Sequence, residues 1–322
     1  MLNACVFLGG RDQDGVPQYR ATAFTVGLAT DAYPNGWPCL VTARHNVLRA
    51  ERLFGNVCVR VNTDDGGSID IDITEPWVYP DDPGIDAAAV PFGGVMLDPR
   101  PRIFPLPPAM FVTEAVVAER KIGPGEDMVV VGLFASHVGT SRNLPIVRSG
   151  NLASMPFEPL TDEASGERFH AYLAEVRSVG GLSGSPVFLV LNPYGRHVEG
   201  EVGRVTIGPG EIFYLLGMVR GHWERDAHLD FGESEAERLN TGIAMVTPIT
   251  DVLPLLDDER FVRYGSQMDE IMGQARRAQA GTMVEDFAPT GDDPSEFERF
   301  EELTDKLLRV PKTELDEKLS ES

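Results

Sequence analysis

The sequence predicts an all-β protein built from two successive sets of short strands, followed by a C-terminal helix and an acidic tail. Three observations lead there. Short runs rich in apolar and β-branched residues recur along most of the chain, separated by clusters of Gly, Asp, Asn and Pro. The 33 Gly and 24 Pro supply punctuation for many turns, and 42% hydrophobic residues supply a core. A proline-rich stretch at 98–108 divides the runs into two groups.

In the first group, residues 4–8, 19–28, 39–43, 57–61 and 87–92 have strand texture. The stretch 98–108 cannot lie in a central strand, because its prolines remove ladder donors, so it reads as the linker. Six runs follow, at 128–134, 146–155, 169–176, 186–191, 212–219 and 242–246, enough to close a second small barrel. Between two of them, residues 194–210 are rich in Gly and charge and read as a long hairpin or insertion loop. Residues 248–260 carry Ile249, Val252, Leu253, Leu255 and Leu256 at helical spacing.

Beyond about Gly265 the texture becomes polar and linker-like. Asp293 as an N-cap, Pro294 at the first helical position and Glu296 at the third open a helix at 294–309. Phe297, Phe300, Leu303, Leu307 and Leu308 give it an apolar stripe. The expected organisation is a body at 1–262, with a first barrel at 1–97, linker at 98–110 and second barrel at 111–262, then a helical or partly disordered tail at 263–322. The tail either packs on its own body or docks a regulatory partner.

A formal charge of −22 with no Lys/Arg cluster argues against nucleic acid as a partner. The N-terminal residues lack a basic region, a long apolar run and a cleavage signature, and no stretch has the ~20 apolar residues of a membrane helix. Cys5, Cys39 and Cys58 are odd in number without metal-type spacing, and read as buried, reduced thiols in a cytoplasm. None has the setting of a nucleophile. The six histidines show no zinc spacing, so neither metal nor cofactor is expected.

Three motifs carry chemistry: Thr42-Ala43-Arg44-His45, Ile85-Asp86-Ala87-Ala88-Ala89-Val90, and Gly180-Gly181-Leu182-Ser183-Gly184-Ser185-Pro186-Val187-Phe188. Singly they have plainer readings: a core histidine, a turn cap after Pro83-Gly84, a tight turn. Together, and in this order, residues 1–260 resemble the trypsin-like (chymotrypsin-fold) serine protease family, with the cytoplasmic bacterial-type members looking closer. The resemblance implies two six-stranded antiparallel β-barrels and a catalytic triad of His45, Asp86 and Ser183. In that arrangement Ser183 attacks, His45 accepts and returns the proton, and Asp86 fixes the imidazole tautomer. The order His, Asp, Ser sets it apart from the subtilisin and α/β-hydrolase orders.

By the same resemblance the amides of Gly181 and Ser183 form the oxyanion hole. Arg177, Ser178 and His222 line the substrate pocket, where a guanidinium at the base favours an acidic P1 side chain; if Arg177 instead turns to solvent or pairs with a neighbouring Glu, the pocket is small, apolar and lined by Val179. Leu182 stands where many secreted relatives carry an Asp that pairs with a newly cleaved N-terminus, so that activating ion pair has no counterpart. Asn46 follows His45, where those relatives carry a disulfide cysteine. The expected function is a serine endopeptidase acting on peptide or protein substrates. The alternatives are a catalytically silent protease-like binding module, or an esterase using the same triad.

Overall fold

Short runs of small and branched apolar residues, buried along nearly their whole length in β1, β3 and β6, build a six-stranded antiparallel sheet from the N-terminal part of the chain. Its strands are β1 (Cys5–Arg11), β2 (Pro17–Leu28), β3 (Trp37–Thr42), β4 (Cys58–Asn62), β5 (Ser68–Asp72) and β6 (Ala88–Pro91), in the order β5-β4-β1-β2-β3-β6. Every second side chain faces one core: Val6 and Leu8, Ala21 and Ala23, Val59 and Val61, Ala88 and Val90. The computed structural model describes residues 2–34, 36–93, 95, 100–134, 137–162, 166–176, 181–191, 212–226 and 238–286.

The second set closes into a barrel. β7 (Asp127–Gly132), β8 (Ile146–Ser154), β11 (Tyr172–Glu175), β12 (Pro186–Leu191), β13 (Ile212–Asp226) and β14 (Arg238–Pro248) follow one another as β11-β14-β13-β12-β7-β8. A two-stranded ribbon, β9 (Leu160–Thr161) with β10 (Arg168–Phe169), stands beside it in sequence. Met128, Val130, Leu152, Ala174, Val187, Leu189, Leu216, Val219, Ala244 and Val246 fill the barrel at alternate positions. Two six-stranded antiparallel units, joined through a proline-rich connection, make up the expected double-barrel architecture.

Close approach locks the two units together. A Cβ on Gly132 would lie 2.9 Å from Thr22 Oγ1 on β2 and 1.9 Å from Ser185 Oγ, so β7 comes this close to the first sheet and to the start of β12 only because that residue is glycine. Thr22, fully buried on β2, accepts the Leu133 amide on its hydroxyl at 2.8 Å. Among its described residues the connection touches the sheets at single bridges such as Val26 with Leu106 and Phe111 with Leu215.

Several elements differ from the sequence expectation. Helix α1 (Arg44–Phe54) follows β3 directly; Val47 and Ala50 point into the first core, and Gly55 at φ 72 ends the helix by donating to the Glu51 carbonyl. Helix α2 (Glu114–Arg120) is capped by Thr113, whose hydroxyl accepts the Val116 amide. β5 pairs with β4 around Gly66, with Ile69 and Ile71 packed on the core and Asp70 and Asp72 on the other face. The run at 169–176 divides into β10 and β11, and β13 and β14 are longer than expected. The expected loop at 194–210 and helix at 294–309 lie outside the described residues.

Helix α3 (Ile249–Leu256) occupies part of the stretch read as a helix, burying Ile249, Val252, Leu255 and Leu256. α4 (Glu259–Asp286) then continues where a linker was expected. Phe261, Tyr264 and Met268 are buried, and their spacing of three and four residues forms one helical face, which the glycine at 265 does not interrupt. The chain divides into two compact units, Met1–Glu270 and Ile271–Ser322, and the described part of the second is the continuation of α4. Among the described residues, no helix is long and apolar enough to cross a membrane.

Candidate active site

Three local structures bring three side chains to one place. β3 ends at Thr42, Ala43 stays extended, and α1 begins at Arg44, which puts His45 in the first helical turn. Asp86 closes a turn in which the Asp82 carboxylate accepts the Gly84 amide at 2.8 Å and the Asp82 carbonyl accepts the Ile85 amide at 3.1 Å. Ser183 lies between Gly181 (φ 98) and Gly184 (φ 79), both in the left-handed region that favours glycine. The Ser185 amide donates to the Leu182 carbonyl at 2.9 Å, and Leu182 is buried in the second core.

The three side chains form one hydrogen-bonded line. Ser183 Oγ is 2.6 Å from His45 Nε2, and His45 Nδ1 is 2.7 Å from Asp86 Oδ2. The His45 amide also donates to Asp86 Oδ1 at 3.1 Å, so the carboxylate grips both the ring and the backbone of the same residue. A carboxylate can only accept, which puts the ring proton on Nδ1 and leaves Nε2 to accept the serine hydroxyl. The imidazole is 47% exposed while the carboxylate is 12% exposed, so the line runs from the interior towards solvent.

Burial pushes the Asp86 carboxyl upward, but hydrogen bonds from the His45 ring and amide and the charges of His45 and Arg220 outweigh it. The net direction is below the usual carboxylate range, so Asp86 is an anion at neutral pH. The three thiols go the other way: burial pushes Cys5 up to about 12 and Cys58 up to about 11, and it raises Cys39 as well. None of them is a ready thiolate at neutral pH.

The serine loop is pinned from behind by Thr22, Asn46 and Thr42, to which the sequence reading gave no role in holding it. Thr22 donates its hydroxyl to the Gly181 carbonyl at 3.0 Å and its amide to the Ser183 carbonyl at 3.1 Å. Asn46, immediately after His45, donates its side-chain amide to the Ser183 carbonyl at 3.0 Å and to Thr42 Oγ1 at 3.1 Å. Thr42 in turn donates to the Thr22 carbonyl at 2.8 Å. The available sequence signal was a pair of threonines inside apolar strands, which become buried polar groups requiring partners. Across the trans peptide before Ser183, the Leu182 carbonyl faces Ser185, so the Ser183 N–H points away from that turn.

Arg220 on β13 is a further residue at the site. Its carbonyl lies 3.3 Å from Ser183 Oγ, and its Nη1 donates to the Gly84 carbonyl at 2.6 Å. Of the expected pocket residues, Arg177 and Ser178 lie outside the described residues, and His222 is in β13, paired with Ala244.

No protein-family model matches the chain, and no curated protein matches it. Among solved structures it is similar to the Rv3671c protease in its inactive form, at 15% identity and TM-score 0.40, covering 80% of this chain and 88% of that one. A second is a serine-to-alanine mutant of Rv3671c from M. tuberculosis H37Rv, also an inactive form, at 16% identity and TM-score 0.41, covering 79% and 86%.

Proposed function

We propose that the chain is a serine endopeptidase that cleaves peptide bonds through an acyl-enzyme on Ser183. The observation that carries this reading is the pair of distances, 2.6 Å from Ser183 Oγ to His45 Nε2 and 2.7 Å from His45 Nδ1 to Asp86 Oδ2. A serine hydroxyl is a weak nucleophile until a neighbouring base takes its proton, and an imidazole held in the Nδ1–H tautomer is that base.

In the proposed reaction Ser183 Oγ attacks the scissile carbonyl as its proton passes to His45 Nε2. Asp86, remaining an anion, stabilises the imidazolium. The amides of Gly181 and Ser183 receive the developing oxyanion. His45 then protonates the leaving amine, which departs as the acyl-enzyme forms. Water, deprotonated by His45, releases the acid and restores the hydroxyl. Assignment to the trypsin-like family and a cytoplasmic location belong to the same proposal; they rest on the three motifs and on the odd count of cysteines.

A peptide library varied at P1, read by mass spectrometry with wild-type and Ser183→Ala protein side by side, tests the reading. Internal cleavages that vanish with Ser183→Ala are expected; a preference for acidic P1 residues would assign Arg177 to the pocket base, and a preference for Ala, Val or Leu would assign a small apolar pocket lined by Val179. Hydrolysis of small esters without any peptide cleavage would replace the endopeptidase with an esterase. Absence of both would leave a binding module.

A further inference from the structure

We infer that Arg220 is a positioning residue whose guanidinium clamps the turn carrying Asp86 to strand β13 and so keeps the carboxylate aimed at His45. The inference builds on the proposed roles of Ser183, His45 and Asp86.

β13 pairs Val219 with Val246 and Gly221 with Met245, so Arg220 is the extra, unpaired residue of a β-bulge. Bulges release a side chain from the regular alternation of a strand and re-aim it. Here the neighbours keep their places. The Val219 amide donates to the Ser185 carbonyl, its carbonyl accepts the Gly184 amide, and its side chain is buried in the core.

The re-aimed side chain has two fixed points, and the backbone of the same residue supplies a third. Its Nη1 donates to the Gly84 carbonyl at 2.6 Å, a charge-assisted bond two residues from Asp86. Its guanidinium carbon lies 3.9 Å from the centre of the Phe169 ring on β10, which fixes the plane of the fork. Its own carbonyl faces Ser183 Oγ at 3.3 Å. Gly84 has little room to move on the other side, since a Cβ there would come within 2.5 Å of the Arg168 carbonyl. The turn is therefore held between β10 and β13, with Arg220 as the tie. The same guanidinium places positive charge near the Asp86 carboxylate.

A clamp of this kind needs both charge and shape. Lysine at this position would keep the charge but lose the planar fork that bonds Gly84 while stacking on Phe169. Removal of the side chain would free the turn, and a drift of about 1 Å in a catalytic group is enough to cost ~10²-fold in rate.

The test compares full-length parent, Arg220→Ala and Arg220→Lys by two readouts. One is the rate of fluorophosphonate labelling at Ser183. The other is the downfield proton resonance of the His45 Nδ1–H bond to Asp86. In Arg220→Ala, labelling should slow by about tenfold or more, and the resonance should broaden or disappear. Guanidinium ion at low millimolar concentration should restore both, while sodium at equal ionic strength should restore neither. Arg220→Lys should fall between.

A folded Arg220→Ala protein that labels within about twofold of the parent and keeps the resonance would overturn the inference. So would a loss that guanidinium does not relieve. If Arg220→Ala does not fold, parent-like behaviour of Arg220→Lys in both readouts overturns the clamp, and a slowed label with a weakened resonance upholds it. Loss and guanidinium recovery of the resonance in a protein whose Ser183 never labels would uphold the clamp and overturn the catalytic reading instead.

Discussion

Ser183→Ala and His45→Ala should each remove nearly all turnover, a loss on the order of 10⁶-fold in a well-studied serine protease, with the double variant little worse. Steady-state kinetics check this, and additive losses would show that the two groups do not act as a unit. Gly184 tests the turn that presents the serine. At φ 79, an added Cβ would lie 2.2 Å from the Thr22 carbonyl oxygen and 2.4 Å from Thr42 Oγ1. Gly184→Ala should therefore cost at least about 2–4 kcal/mol in denaturant unfolding. Gly221→Ala, whose Cβ meets only the Met245 methyl at 3.9 Å, should be close to neutral. Convergence of His45, Asp86 and Ser183 was legible because each stands inside a short motif whose neighbours are informative. Thr22, Asn46 and Arg220 were not, because their partners are far away along the chain: Thr22 bonds Gly181 and Asn46 bonds Ser183. The apolar neighbours of Thr22 mark it as a buried polar group that needs a partner, but nothing local names the partner.

Helix α3 begins at Ile249 with Asp251 in its first turn, and burial pushes that carboxyl up to about 6, with His170 opposing and Asp82 adding to the shift. A carboxyl raised above its unfolded value of about 3.9 is destabilising once ionised, so its cost is absent below that value and fully present above about 6. Partial exposure screens the cost to about 1 kcal/mol. Asp251→Asn should thus raise Tm by about 2–4 °C at pH 7.5 and leave it unchanged at pH 4. Thermal melts at both pH values check this, and an equal effect at each would remove the ionisation argument. Strands that are apolar on both faces, such as β12, were readable end to end. β5 was not, because three of its five residues are Ser or Asp; its signal was the alternation of Ile69 and Ile71 after the Asp65-Gly66 turn. α1 was hidden because its first turn coincides with the His45 motif, although Gly55 and the spacing of Val47, Ala50 and Phe54 marked it.

The division into two β units followed from the prolines between them, whereas the end of the body did not show in composition. α4 passes through the expected boundary, and its first turns are tied down: Tyr264 donates to the Pro38 carbonyl at 2.9 Å, and Asp269 accepts from Thr30 Oγ1 at 2.9 Å and Trp37 Nε1 at 2.8 Å. Those contacts join residues more than two hundred positions apart, which local texture cannot reveal. A chain ending after Glu270 should keep the cooperative unfolding of the parent body. One ending after Gly265 loses Met268 and Asp269 and should melt several degrees lower, about 2–4 °C for each kcal/mol removed. Differential scanning calorimetry of the two truncations distinguishes them, and equal melting temperatures would contradict this role for α4. Reacting the intact protein with a fluorophosphonate and mapping the adduct by peptide mass spectrometry asks whether Ser183 is an activated nucleophile. Stoichiometric labelling at Ser183 that disappears in His45→Ala is expected; a folded protein that takes up no label, or labels equally without His45, would show that Ser183 is not activated by His45.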